Sequence, residues 1–280
     1  MKRKKKLNSR PLSSYFFEIF MLCVCVFFMI PFYYLVVNTF KTAQEATKAP
    51  MALPRTLFLE NYQRAFEGMN FLNSLTNTVI ITVCSVTLII IFGSMAAYAI
   101  ERRQNRVTKA CFYYFLIGFM IPVQSIIIPL FLVLQTLHLQ NSIWGLIVLY
   151  TSWSNFAMFM YRGFLSGVPV DLEDAARIDG GSVWKTFWLV VFPLLKPITV
   201  TIMIFDVMWI WNDFLYPFLF LSSSKKGTLV MEVYKGVGEF TSDWARMMAT
   251  MVIVLIPIVI FYIAMQKHII AGITSGAVKG

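Results

Sequence analysis

The stretch Pro169–Pro197, PVDLEDAARIDGGSVWKTFWLVVFPLLKP, is a polar interruption in a chain that is otherwise strongly apolar. Pro169 suits the first turn of a helix, where its missing N–H leaves no intrahelical bond unmade. Asp171, Glu173 and Asp174 set negative charge against the positive end of that helix dipole. Gly180-Gly181 supplies a position able to turn left-handed, which ends the helix, and Ser182 is a side chain that caps a second one. The spacing predicts two short helices, Val170–Asp179 and Val183–Phe192, joined by a tight turn that depends on glycine. Leu172, Ala175, Ala176 and Asp179 fall at i, i+3, i+4 and i+7 and share a face, part of it flattened by the two alanines. Such a ridge fits a groove on another protein. An interfacial helix lying on lipid headgroups is the competing reading.

Outside this segment the composition is that of a membrane protein. Of 280 residues, 58% are hydrophobic and 14% charged, too little charge to cover a soluble domain of that length. The hydrocarbon core of a bilayer asks for roughly 20 residues of helix at about 1.5 Å per residue. Six runs meet that requirement, near Tyr15–Phe40, Leu75–Ile100, Ala110–Leu134, Ile143–Tyr161, Ile198–Leu221 and Met247–Met265. The expected fold is therefore all-α and integral to the membrane, with six transmembrane helices. Aromatic clusters such as Tyr15-Phe16-Phe17 and Phe32-Tyr33-Tyr34 stand at span ends, where amphipathic rings favour the headgroup level. No cleavable signal peptide is expected, because MKRKKK leads into an apolar run too long for one.

Charge asymmetry orients the chain. With the N-terminus inside, 16 of the 24 Lys and Arg residues are cytoplasmic: Lys2 to Arg10, Arg102 to Lys109, Arg162 to Lys196, and Lys267 with Lys279. Lys41, Lys48, Arg55, Arg64, Lys225, Lys226, Lys235 and Arg246 are the 8 outside. Both termini are thus expected in the cytoplasm. The net charge of +10 then reads as topology and contact with anionic membrane lipid, and no basic patch remains for a nucleic acid. Cys23, Cys25, Cys84 and Cys111 all fall inside spans, as small apolar packing residues. His138 and His268 stand alone, so neither a metal site nor another cofactor is expected.

Inside the membrane the fifth span carries two acids, Asp206 and Asp213, seven residues apart. As a continuous helix it would set them with Trp209 and Tyr216 on an arc roughly 80° wide. Asn212 lies beside them, and Pro217 cannot donate to the Asp213 carbonyl, which would open a backbone acceptor. Intramembrane acids mark a pathway or face a bundle interior. Aromatics beside hydrogen-bonding groups suit a sugar, and interhelical bonding to another chain is the other reading. In the fourth span Thr151, Ser154, Asn155 and Met158 form a polar stripe, for helix packing or for substrate contact. Pro122 and Pro129 interrupt the third span around Gln124 and Ser125, as a hinge, a cavity wall or a passive kink.

Taken with its spacing, Asp174-Ala175-Ala176, three residues, Gly180, nine residues, then Val190-Val191-Phe192-Pro193 resembles the E-A-A loop of importer permeases in the ATP-binding-cassette (ABC) family. Asp174 stands where that family usually has Glu, Val190 for Ile and Phe192 for Leu. Further resemblance to the carbohydrate-type smaller permease lies in MIPVQSIIIPLFLVLQTLHLQNSIWGLI (120–147), IWNDFLYPF (210–218) and AGITSGAVKG (271–280). It implies the transmembrane domain of a type I ABC importer in the cell membrane of a prokaryote. That domain would span 1–280, with a core at about 71–267, a coupling loop at 165–196 and a cytoplasmic tail at 268–280. Leu172, Asp174, Ala175, Ala176, Asp179 and Gly180 would couple to the ATPase. The implied partners are a second permease, two copies of a separate ATPase subunit and an extracytoplasmic sugar-binding protein.

The chain has no G-x-x-x-x-G-K-[ST] phosphate loop and no nucleophile–base pair at recognisable spacing, so it is not expected to be an enzyme. Two other functions compete. A permease of the same family for a non-sugar solute lacks the support of the 210–218 and 271–280 motifs. An ion-coupled secondary transporter would carry the whole path in one chain, often as inverted repeats, and none is evident.

Overall fold

The computed structural model describes residues 12–239 and 243–277, with side chains for 14–223, 225–235 and 243–267. The basic run Lys2–Arg10, His268, Lys279 and the tail expected at 268–280 lie wholly or in their side chains outside the described residues. Among those described the chain is helical, without strands. In order the helices are α1 (Leu12–Thr39), α2 (Ala43–Lys48), α3 (Glu60–Gly68), α4 (Phe71–Arg102), α5 (Arg106–Met120), α6 (Ile127–Thr136), α7 (Ile143–Thr151) and α8 (Asn155–Leu165). They continue as α9 (Asp171–Ile178), α10 (Val183–Thr186), α11 (Phe192–Leu194), α12 (Lys196–Asn212), α13 (Leu215–Phe220), α14 (Leu229–Glu239) and α15 (Trp244–Ala277).

Four segments are long and apolar enough to cross a bilayer without a sharp bend: Ser14–Thr39, Phe71–Arg102, Ile143–Leu165 and Trp244–Lys267. Two more form as bent pairs, Arg106–Met120 with Val123–Thr136 at 97° and Val183–Leu194 with Lys196–Asn212 at 76°, giving six spans when each pair counts once. The third span is therefore not the single run expected at Ala110–Leu134. Ile121, before Pro122, is extended at φ −77° and ψ 121°, the conformation toward which a proline ring pushes the residue preceding it. Pro129 does not interrupt anything. It occupies the first turn of α6, where its missing N–H has no intrahelical partner to lose.

The fifth span also departs from expectation. α12 stops at Asn212 and α13 starts only at Leu215, so Ile198–Leu221 is not one helix. Pro217 accounts for the stop, since its ring would collide with the carbonyl of the residue four earlier, Asp213. Asp213 takes ψ 125° instead. The second loop helix is likewise broken up: Val183–Thr186 is α-helical, whereas Phe187–Val191 forms a π turn.

The chain divides into two compact units, residues 1–68 with 236–253 and residues 69–235 with 254–280. In the first, α1 is exposed along its apolar length. Its C-terminal end is fastened by a fully buried lysine. Lys41 Nζ donates to the carbonyls of Ala49 (2.8 Å) and Pro50 (3.0 Å) and to Asn38 Oδ1 (3.3 Å). Burial lowers its pKa from 10.5, with the Glu45 charge acting in the other direction. Asn61 Nδ2 ties the same turn to α3 through the carbonyls of Thr39 (2.9 Å) and Lys41 (2.7 Å).

In the second unit α4 is the central helix. Ile81, Ile89 and Ala97 of α4 share one core with Leu146 and Tyr150 of α7, with Met158 and Tyr161 of α8, and with Ile202 and Ile210 of α12. Close approach of α4 to α8 depends on Gly93, where a Cβ would stand 2.8 Å from the Ala157 Cβ. Outside the core, Glu232 of α14 is buried and accepts from Ser74 Oγ (2.8 Å) and Lys235 Nζ (2.8 Å).

Candidate functional site

The polar loop forms as its sequence dictates. Val170 O accepts from the N–H of Glu173 (2.8 Å) and Asp174 (3.1 Å), opening α9 with three acids in its first turn. Closure is by a Schellman turn. Gly181 N–H donates to Ala176 O (2.9 Å) and Gly180 N–H to Arg177 O (3.0 Å), with Gly180 at φ +82°. Ser182 Oγ then accepts from Lys185 N–H at 3.3 Å and caps α10. Leu172, Asp174, Ala175, Asp179 and Gly180 are exposed and Ala176 half-buried. Ile178 is the most exposed large apolar side chain of the loop at 86%, and it extends the outward apolar surface beyond the expected face. Asp174 is bonded to Arg177 Nη1 at 3.0 Å along the helix surface.

Opposite that face stands a residue whose role the sequence reading did not single out. Glu173 is buried, and its carboxylate accepts from the Tyr98 hydroxyl (2.8 Å) and Arg102 Nε (2.7 Å), one turn apart on α4. The Arg102 guanidinium also donates to Val168 O (2.9 Å) and Leu165 O (3.3 Å) at the end of α8. Arg177 supplies a second cation at 3.6 Å. Removing one partner of such a buried pair leaves an uncompensated charge, at a cost of about 3–5 kcal/mol. The signal available was an acid on the one side of a short helix that faces away from its exposed ridge. Beside this junction lies a cavity of about 430 Å³, walled by Met95, Tyr98, Val183, Trp184 and Phe187 and rimmed by Arg102, Arg103 and Arg177.

The intramembrane residues gather differently from the helical arc expected of them. Because α12 ends before Asp213, Tyr216 reaches the cluster from α13. Tyr150, fully buried on α7, is the hub. Its hydroxyl donates to Asp213 Oδ2 at 2.6 Å, and its ring packs edge-on against Trp209 (5.8 Å) and Tyr216 (5.7 Å). Asp213 also accepts from the N–H of Leu215 (2.9 Å) and Tyr216 (3.4 Å), so this acid caps α13. Trp209 and Asn212 remain exposed at the edge, and Asn212 Nδ2 bonds Met208 O at 2.7 Å. Asp206 lies away from that edge, 6% exposed, and its Oδ2 has no hydrogen-bond partner among the described residues. Ser154 sits in the break between α7 and α8, its carbonyl accepting from Met158 N–H at 2.8 Å. Asn155 is buried, with Nδ2 3.5 Å from where a Cβ on Gly118 would be. Among the described residues, no cluster of His, Cys, Asp and Glu could hold a metal.

A multi-pass helical chain with an exposed capped loop and a polar cluster at a broken span has clear relatives. Residues 89–275 match the family described as binding-protein-dependent transport system inner membrane component. The chain is 38% identical to the probable starch degradation products transport system permease protein AmyC of Thermoanaerobacterium thermosulfurigenes, over 89% of this chain and 91% of that one. It is 37% identical to the melibiose/raffinose/stachyose import permease protein MelC of Bacillus subtilis, over 90% and 91%. With the multiple sugar-binding transport system permease protein MsmG of Streptococcus mutans it shares 35% over 100% of both chains. A solved bacterial ABC transporter involved in the import of the acidic polysaccharide alginate superposes with a TM-score of 0.79 at 22% identity, covering 92% of this chain and 98% of that one. The protein belongs to the family of binding-protein-dependent transport system inner membrane components. Its fold is that of a type I ABC importer permease.

Proposed function

We propose that this chain is a permease subunit of an ATP-driven importer of oligosaccharides or related carbohydrates. It acts as a single transmembrane domain, lies in the cell membrane with both termini cytoplasmic, and forms the translocation path with a second permease. ATP is hydrolysed in two copies of a separate subunit, and an extracytoplasmic binding protein delivers the sugar. One observation carries the reading: α9 presents Leu172, Ala175 and Ile178 outward on a short capped helix whose opposite side is fixed by buried Glu173. A rigid outward ridge is what a groove on another subunit can grip. Relatives named as permeases for starch products, melibiose, raffinose and stachyose support carbohydrate as the cargo. On the pathway side, exposed Trp209 and Asn212 beside Asp213 offer a ring face and hydrogen-bonding groups, the pair of features a sugar requires.

The test is an Ala175→Glu, Gly180→Val double variant. A carboxylate on the ridge adds bulk and an unpaired interface charge, each costing on the order of a few kcal/mol. A Cβ at Gly180 meets no neighbour within 4 Å, and a residue carrying one is strained there by about 1–2 kcal/mol in the left-handed conformation. Neither change touches a span. Sugar uptake and sugar-stimulated ATPase activity are expected to disappear together in membranes that contain normal amounts of the chain. Unimpaired uptake would refute the docking role.

A further inference from the structure

We infer that Glu173 is a positioning residue that passes movement of the docking helix α9 directly into the span α4, an inference that rests on the docking reading of α9. Glu173 is the buried side chain of α9. Both of its short bonds go to α4, to Tyr98 and Arg102, four residues apart on one face. Arg102 spends the rest of its guanidinium on the Leu165 and Val168 carbonyls, so α4, the end of α8 and α9 are joined at one point. The pair is withdrawn from solvent, with side-chain exposures of 12% and 1%, and salt does not screen it as it screens surface charges.

The other exit from α9 is built differently. Its chain link to α10 runs through Gly180, at φ +82° with no neighbour within 4 Å of a built Cβ. That turn is held by backbone hydrogen bonds from Gly180 and Gly181, whereas the Glu173 side is clamped by an ion pair and a hydroxyl. Displacement of α9 by its partner is thus delivered to α4 through charged and hydroxyl side chains, and to α10 through the backbone turn. Since α4 shares its core with α7, α8 and α12, and Tyr150 of α7 holds Asp213, α4 is the element from which that displacement reaches the intramembrane cluster.

The test uses the whole transporter, with partner permease, ATPase and binding protein, reconstituted in proteoliposomes. Three quantities are read: co-purification of the ATPase, ATP hydrolysed, and sugar taken up per ATP. Glu173→Gln keeps the size and one acceptor but removes the charge. It is expected to retain the ATPase subunit and to lower sugar taken up per ATP by about tenfold. Tyr98→Phe removes a single hydroxyl and is expected to lower that ratio by about threefold. A purely structural role would instead reduce the amount of assembled transporter and leave its stoichiometry unchanged. An unchanged ratio in Glu173→Gln overturns the proposal, as does loss of the ATPase from an otherwise assembled complex, which would place Glu173 on the docking face. If Glu173→Gln fails to assemble, Tyr98→Phe decides, and an unchanged ratio there overturns the proposal. Failure of the docking reading looks different: an Ala175→Glu variant would keep both its ATPase and its uptake.

Discussion

Alanine at Gly93 probes the close α4–α8 crossing with one added methyl group. Its Cβ would lie 2.8 Å from the Ala157 Cβ, 3.3 Å from the Met158 nitrogen and 3.4 Å from the Ser154 carbonyl oxygen. Carbon atoms normally rest about 3.5–4.0 Å apart, and here the opposing groups are backbone and an alanine methyl, which have no rotamer with which to yield. Helix α8 itself must move. Overpacking of this kind costs about 1–3 kcal/mol, against a helix-propensity gain of up to about 1 kcal/mol for alanine over glycine. A net loss of about 1–2 kcal/mol is expected from those two effects. Gly163 provides the control. It is an exposed residue of α8 with nothing within 4 Å of its built Cβ, so Gly163→Ala is expected to be neutral or to stabilise by up to about 1 kcal/mol. Thermal unfolding of the purified complex in one detergent compares the two. Should Gly93→Ala prove at least as stable as Gly163→Ala, the tight α4–α8 crossing is wrong.

Asp213→Asn keeps an oxygen to accept from Leu215 N–H and places an amide donor toward the Tyr150 hydroxyl oxygen, and is expected to leave assembly intact while changing sugar uptake. Asp213→Leu abandons those bonds and lowers stability by about 1–3 kcal/mol; release of the second permease by the Asn variant would favour the interhelical-bonding role over the pathway. Lys41→Met leaves the Ala49 and Pro50 carbonyls without their ammonium and is expected to speed proteolysis between residues 42 and 59. Burial lowers the Lys41 pKa below 10.5, so just under that pH the unfolded segment binds more protons than the folded one. Stability of the segment therefore rises as pH climbs through that window, and protection that instead falls there in the native chain but not in Lys41→Met would contradict the buried, desolvated ammonium.

How far the sequence revealed all this depends on whether the causes are local. The Gly180 turn, the Ser182 cap and the outward ridge of α9 were legible because each is decided within a few residues by a φ, a side-chain acceptor or a helical period. The bend at Ile121 and the end of α12 also had local causes in Pro122 and Pro217. Pro31 and Pro257 nevertheless lie inside unbroken α1 and α15, so proline alone did not say where a span breaks. What the sequence hid were pairings across the fold. Glu173 meets Arg102 across 71 positions and Asp213 meets Tyr150 across 63, and no periodicity relates them. The assumption of an unbroken fifth span also placed Tyr216 on the same helix as Asp206, when the break brings it in from α13.

The π turn at Phe187–Val191 bears on how this family's loops can change length. A π turn is an α-helix holding one surplus residue, so it is the natural place for a single-residue insertion to be stored. Deleting one residue within it would restore ordinary helix while preserving the Ser182 cap before it and the direction of α12 after it. Related chains with one residue fewer between Gly180 and Pro193 are expected to keep both ends of this segment in register, and the same deletion would be the least disruptive place to shorten this chain.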